Sequence, residues 1–180
     1  MIRKLMASAA VVALSAASLT AFAANAGPDT GEIRFNGKIV EKTCTVAVNG
    51  VVSPAIANVT LPEANASLLQ LPGNTTGDTP FTISVKDCLT NSGQAQVVFY
   101  SSNSDGNYLR NIAATDPADN ALLELTDNNG NPLDLIGGTS TGLTLTAGQG
   151  SAVYKVRYYA KAAVTPGAVE STATYVISYP

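Results

Sequence analysis

Past residue 40 the chain keeps returning to one pattern, short runs in which β-branched and aromatic residues alternate with polar ones. Such runs occupy Thr43–Val48, Phe81–Lys86, Gln96–Ser101, Ala121–Thr126, Gly142–Thr146, Ala152–Lys161 and Ser171–Tyr179. A period of two puts alternate side chains on opposite faces, so each run is predicted to be a strand. Clusters of Gly, Pro, Asn and Asp fill the gaps, as in Leu71-Pro72-Gly73-Asn74 and Thr165-Pro166-Gly167. These residues supply the turn conformations that strand-to-strand connections need. Helical periodicity is almost absent. About seven strands at this spacing predict an all-β, antiparallel sandwich.

The run Ala152–Lys161 shows why two sheets are needed. Ala152, Tyr154, Val156, Tyr158 and Ala160 share one face, and Val153, Lys155, Arg157 and Tyr159 share the other. The first face is apolar and must meet a second sheet, while the second is expected to be largely wet. Asn103–Asn107 and Asp116–Asn120 are polar and turn-rich, and are expected to be exposed loops. The chain has no Trp, so the buried Trp of antibody-type domains is not available.

The N-terminus obeys different rules. Arg3 and Lys4 precede an uncharged stretch from Leu5 to Ala23, and Ala21-Phe22-Ala23 and Ala24-Asn25-Ala26 both fit small-x-small cleavage sites. This predicts a secretory signal peptide over residues 1–23, with cleavage as late as 26 as the other option. A membrane anchor is the competing reading, but the stretch is rich in Ala and Ser and no basic stop-transfer cluster follows. Cleavage leaves about 155 residues, enough for one domain. It takes the ten basic residues to eight against 13 acidic ones, a net charge near −5. Such a surface repels nucleic acid and anionic lipid. Export also places Cys44 and Cys88 in an oxidising compartment, which favours a disulfide over two separate thiols.

Catalytic chemistry finds little support. There is no His, which removes the commonest general base, the commonest metal ligand and every Ser-His triad. Asp116 with Asp119, or Glu124 with Asp127 and Asp134, are the carboxylate sets that a glycosidase-like reaction would need. Each sits in or beside a turn-forming cluster, where capping the backbone explains it better. The stretch from Asp127 to Asn131 superficially suggests a calcium loop, but Pro132 and Gly138 stand where the motif requires Gly and Glu. A hairpin turn between Thr126 and Leu133 fits the same letters. The sequons at Asn58, Asn65 and Asn74 arise readily by chance in an Asn- and Thr-rich chain. No cofactor or metal is expected.

The strongest patterns lie at the two ends of the mature chain. In Gly31-Glu32-Ile33-Arg34-Phe35-Asn36-Gly37-Lys38-Ile39-Val40 one face carries Gly31, Ile33, Phe35, Gly37 and Ile39, and the other carries Glu32, Arg34, Asn36 and Lys38. An ordinary first strand of the sandwich is the simple reading, although little turn signal separates it from the run near Cys44. At the C-terminus Ala173, Tyr175, Ile177 and Tyr179 share a face, Gly167 lies fourteenth from the end and Tyr179 is penultimate. The Gly-x-Ile-x-Phe-x-Gly-x-Ile segment, Val85-Lys86-Asp87-Cys88, Arg157-Tyr158-Tyr159-Ala160, Thr165-Pro166-Gly167 and this ending occur in the order and spacing of one family. Over essentially its whole length the chain resembles subunits of chaperone–usher pili of the type 1 fimbrial major-pilin family. One departure is the final Pro180, which has no N–H to donate.

The resemblance implies an immunoglobulin-like sandwich that lacks its final strand. It implies domain bounds of 24–42 for an N-terminal donor-strand extension and 43–180 for the pilin domain. Gly31, Ile33, Phe35, Gly37 and Ile39 would fill five successive pockets of a groove on another subunit. Gly167, Ala173, Tyr175, Ile177 and Tyr179 would belong to the groove and to the C-terminal strand recognised by a periplasmic chaperone and an outer-membrane usher. The implied partners are other pilin subunits, that chaperone and that usher, and the implied location is the cell-surface fimbrium. Two readings of other classes compete. A self-contained carbohydrate-binding or adhesin module would need an aromatic-lined pocket, and only 11 Phe and Tyr occur, most within strand patterns. A secreted hydrolase would need an acid pair or a His. Rank within the fimbria, shaft or adaptor, is not written in the sequence.

Overall fold

The computed structural model describes residues 44–136 and 141–179. The expected signal peptide and the alternating segment from Gly31 to Ile39 lie outside the described residues. Ten strands follow in order: β1 (Thr45–Val48), β2 (Val51–Val52), β3 (Thr75–Lys86), β4 (Ser92–Tyr100), β5 (Ser104–Asp105), β6 (Tyr108–Arg110), β7 (Ala121–Asp127), β8 (Thr141–Thr146), β9 (Gly150–Ala160) and β10 (Thr174–Ser178). Each of the seven predicted runs has a counterpart. A 3-10 turn over Ala66–Leu69 is capped by Asn65, whose Oδ1 accepts a hydrogen bond from the Ser67 N–H at 2.9 Å.

The strands form a seven-stranded sheet in the order β2-β1-β3-β9-β7-β6-β5 and a three-stranded sheet in the order β10-β4-β8. All strand pairs are antiparallel. The core lies between the sheets, with Ile83, Val85, Leu123, Leu125 and Val156 from the larger one meeting Val97, Leu143 and Leu145 from the smaller. Full burial of such a side chain stabilises the fold by about 1.5–3 kcal/mol. Phe81, Phe99 and Tyr154 meet at its centre, with ring centroids 4.9–6.1 Å apart. Tyr154 stays compatible with this interior because its hydroxyl bonds that of Thr141 at 2.8 Å.

Cys44 and Cys88 are joined in a disulfide across a separation of 44 residues. The bridge lies at the end of the β1–β3 ladder, where Thr45 pairs with Lys86. Closing a loop of that length contributes roughly 4 kcal/mol by chain entropy.

The strands run longer than alternation alone indicates. β3 begins at Thr75 rather than Phe81 because its polar first half pairs with β9, across a register shift between Thr76 and Thr79. Gly77 occupies that bulge at φ +76°, where a Cβ would sit 2.8 Å from the Tyr158 ring. The bulge breaks the period of two and hides the strand from pattern reading. Asn103–Asn107 is not a plain loop, since it contains β5, which pairs with β6. Asp116–Asn120 is not wholly exposed either. Ala118 is buried, and Pro117 bridges Ala168 in parallel.

The turn after β7 forms as predicted. Asp127 Oδ1 accepts from the backbone N–H groups of Asn129 and Asn131 at 2.8 and 2.9 Å, and its Oδ2 accepts from Asn131 Nδ2 at 2.8 Å. The Asn131 side-chain bond is the largest cause holding the Asp127 carboxyl below its ordinary range. Letters that imitate a calcium loop thus fold as a self-capped turn.

Candidate functional site

β10 follows from its sequence almost without choice. Tyr175, Val176 and Ile177 favour a pleated, half-buried surface, and the alternation sends Tyr175, Ile177 and Tyr179 onto the core while Thr174, Val176 and Ser178 stay exposed. β10 pairs with β4 from Thr174↔Tyr100 to Ser178↔Gln96. It stands at the edge of its sheet, and among the described residues its other edge has no strand partner.

A second element borders the same core. Residues 57–61 belong to no strand, yet Ala57, Val59 and Leu61 are half-buried while Asn58 and Thr60 are exposed. Val59 and Leu61 pack on the cluster that Tyr175, Ile177 and Tyr179 also touch. Among the described residues no backbone hydrogen bond joins residues 56–64 to a neighbouring strand. Two side-chain bonds fix the ends of this stretch: Ser53 Oγ to Tyr175 Oη at 2.7 Å, and Tyr158 Oη donating to the Pro62 carbonyl at 3.1 Å. Burial and then the neighbouring Tyr175 push the Tyr179 phenol above its ordinary pKa, so its hydroxyl remains neutral.

The residues singled out in the sequence are therefore only partly brought together. Tyr175, Ile177 and Tyr179 line one apolar face beside the open edge. Ala173 precedes β10 and is exposed. Gly167 is remote from the strand's paired stretch and packs elsewhere: a Cβ there would lie 2.5 Å from the Ala118 nitrogen and 2.7 Å from the Asp116 oxygen. Gly31, Ile33, Phe35, Gly37 and Ile39 lie outside the described residues. Pattern reading missed Val59 and Leu61. Their alternation is visible in the sequence, but the flanking Pro54 and Pro62 and the absence of a ladder disguise it.

Of the candidate carboxylates, Glu124 is paired with a cation. Glu124 is not beside a turn but inside β7, 4% exposed, with its Oε2 2.6 Å from Arg157 Nε. Asp78 approaches the same guanidinium at 3.7 Å. Held this way, Glu124 is a structural anion on the outer face of the large sheet.

An edge strand with an apolar inner face is a place where another strand can be added. Comparison with known proteins points the same way, since the model of the family described as "Fimbrial protein" matches residues 33–180. The chain belongs to the fimbrial protein family. Among its fimbrial relatives, the major fimbrial subunit SMF-1 of Stenotrophomonas maltophilia (strain K279a) is 37% identical over 178 residues, covering 92% of this chain and 99% of that one. The type-1 fimbrial protein A chain of Escherichia coli (strain K12) is 32% identical over 179 residues, covering 94% and 96%. Of solved structures, the antigen and type I fimbria protein of Burkholderia pseudomallei superposes with a TM-score of 0.55 at 28% identity, over 78% of this chain and 91% of that one. The subunit of a chaperone–usher pilus gives 0.59 at 19% identity, over 85% and 98%, a likeness of fold. The sandwich described above is the immunoglobulin-like fold of fimbrial subunits.

Proposed function

We propose that this chain is a structural subunit of a chaperone–usher fimbria, joined to its neighbours by donor-strand exchange. The observation that carries the reading is β10, an edge strand whose inner face is apolar and whose outer edge has no strand partner among the described residues. The segment Gly31–Ile39 of a second copy supplies the complementary part, with Ile33, Phe35 and Ile39 each contributing about 1.5–3 kcal/mol when fully buried. Its backbone gains hydrogen bonds along the edge, and its alternate side chains enter the core. Gly37 allows the backbone to approach closely where a side chain would not fit. Contact between a tail on one copy and a groove on the next does not close on itself, so repetition builds a filament.

The remaining assignments follow from this one. Residues 1–23 direct export, 24–42 form the donor extension and 43–180 form the receiving domain. An open apolar edge invites aggregation, so a periplasmic chaperone covers it until an outer-membrane usher presents the next subunit. The chain works at the cell surface by supporting adhesion through the fibre and performs no catalysis. Gly37→Val tests the reading. The oxidised domain is expected to accumulate in the periplasm with wild-type thermal stability while surface fibres, counted by electron microscopy, are lost. Fibres in normal number would refute it.

A further inference from the structure

The segment that leads into β10 is held by one side chain that uses its whole hydrogen-bonding capacity. Asn111 Nδ2 donates to the carbonyls of Ala168 at 2.8 Å and Ala118 at 3.1 Å. Its Oδ1 accepts from the N–H groups of Glu170 at 3.0 Å and Ala113 at 3.1 Å. An amide has two donor hydrogens and two acceptor lone pairs, and all four are used here. Backbone bonds reinforce the contact: Ile112 N–H to Glu170 O at 2.8 Å, Ala118 N–H to Ala168 O at 2.9 Å and Ala168 N–H to Asp116 O at 2.6 Å. Residues 168–170 are thereby latched to residues 111–118, four residues before β10 begins at Thr174.

This latch matters because, among the described residues, β10 has a ladder on one edge only. A strand paired on both edges is fixed by its neighbours, whereas an edge strand is free to fray from its ends. The N-terminal approach to β10 carries ties of its own, and Ser101 Oγ donating to the Thr172 carbonyl at 2.7 Å is the next one along the path from the latch to the strand.

We propose that Asn111 is a positioning residue for subunit joining: by clamping Ala168 and Glu170 it presets the open edge of β10 for the incoming strand. The proposal rests on the donor-strand reading above. A preset edge removes part of the ordering cost of binding and so speeds capture of the strand. Removing the clamp leaves the sandwich folded but lets the edge sample conformations that do not match the incoming ladder.

The experiment uses the full-length mature subunit and a fluorescent peptide of residues 31–40 in excess, with uptake followed on native gels. Wild type, Asn111→Ala, Asn111→Asp and Gln70→Ala are compared. Asp keeps the acceptor half of the clamp and loses both donations. Gln70 is the control, because its Nε2 also donates to two carbonyls, those of Ala66 and Val164, without touching residues 168–170. Uptake is expected to slow about tenfold for both Asn111 variants, the effect of losing one to two hydrogen bonds from the competent state, and to stay within about twofold for Gln70→Ala. The extension of the Asn111→Ala chain is expected to enter wild-type subunits at the wild-type rate, an asymmetry that general misfolding would not produce. Uptake by Asn111→Asp at the wild-type rate, or equal slowing by Gln70→Ala, overturns the proposal, and Asn111→Asp decides if the Ala variant does not fold. Failure of wild-type subunits to take the peptide overturns the donor-strand reading itself.

Discussion

Gly167→Ala separates two roles that the C-terminal region could give this glycine. A new Cβ would stand 2.5 Å from the Ala118 nitrogen and 2.7 Å from both the Asp116 oxygen and the Pro117 carbonyl carbon. All three atoms are backbone, so no side chain can swing aside. Carbon contacts are comfortable at about 3.5 Å, and relief needs a separation of roughly 1 Å between the two segments. That movement stretches the Ala118 N–H to Ala168 O bond from 2.9 Å and the Ala168 N–H to Asp116 O bond from 2.6 Å, to or past the limit of a useful hydrogen bond. Overpacking of this kind costs about 1–3 kcal/mol, and each weakened bond adds up to about 1 kcal/mol. A loss of about 3 kcal/mol is expected, lowering Tm by about 10 °C for a domain of this size. Thermal unfolding of the oxidised mature chain, followed by far-UV circular dichroism, measures it. A Tm within about 2 °C of wild type would refute the steric reasoning. If fibres were nevertheless lost, Gly167 would act in the groove itself.

Arg157→Met strips the partner from Glu124, whose side chain is only 5% exposed, and is expected to cost about 3 kcal/mol in urea unfolding. Adding Glu124→Gln should recover most of that loss, and a loss below about 1 kcal/mol for the single change would show that the pair is solvated. Tyr108 stacks on Tyr159 with centroids 3.9 Å apart, and its hydrogen bond to Tyr159, with burial, raises its pKa from 10.0 to about 12. A raised pKa means the folded state holds the proton more tightly, so this contribution is fully present below pH 10.0 and is lost as pH rises through about 12. Tyr108→Phe should therefore flatten the fall in stability across that window in alkaline denaturation, and an unchanged profile would count against the assignment.

Much of this protein was legible from its side-chain pattern. Strands β7, β8 and β9 match their alternating runs closely because each buries at least one apolar face, and burial forces the period. The Cys44–Cys88 bridge followed from the compartment implied by the signal peptide, and the turn at Asp127 from its own Asn and Gly residues. These features depend on residues near one another in sequence or on general chemistry. The first half of β3 was hidden because the bulge at Gly77 interrupts the alternation. β5 and β6 were hidden because two or three residues carry no period.

At the C-terminal strand the division is sharpest. Sequence alone determined that Tyr175, Ile177 and Tyr179 form an apolar face, since spacing decides which side chains share a side of a pleated strand. Only the tertiary structure decided that β10 stands at the edge of its sheet among the described residues, because edge position depends on strand order in the sheet and not on any residue of the strand. It also set Gly167 in close contact with residues 116–118, and it brought Asn111 to Ala168 and Glu170, nearly sixty residues away. Such contacts depend on how distant segments are folded together, and no local pattern records them.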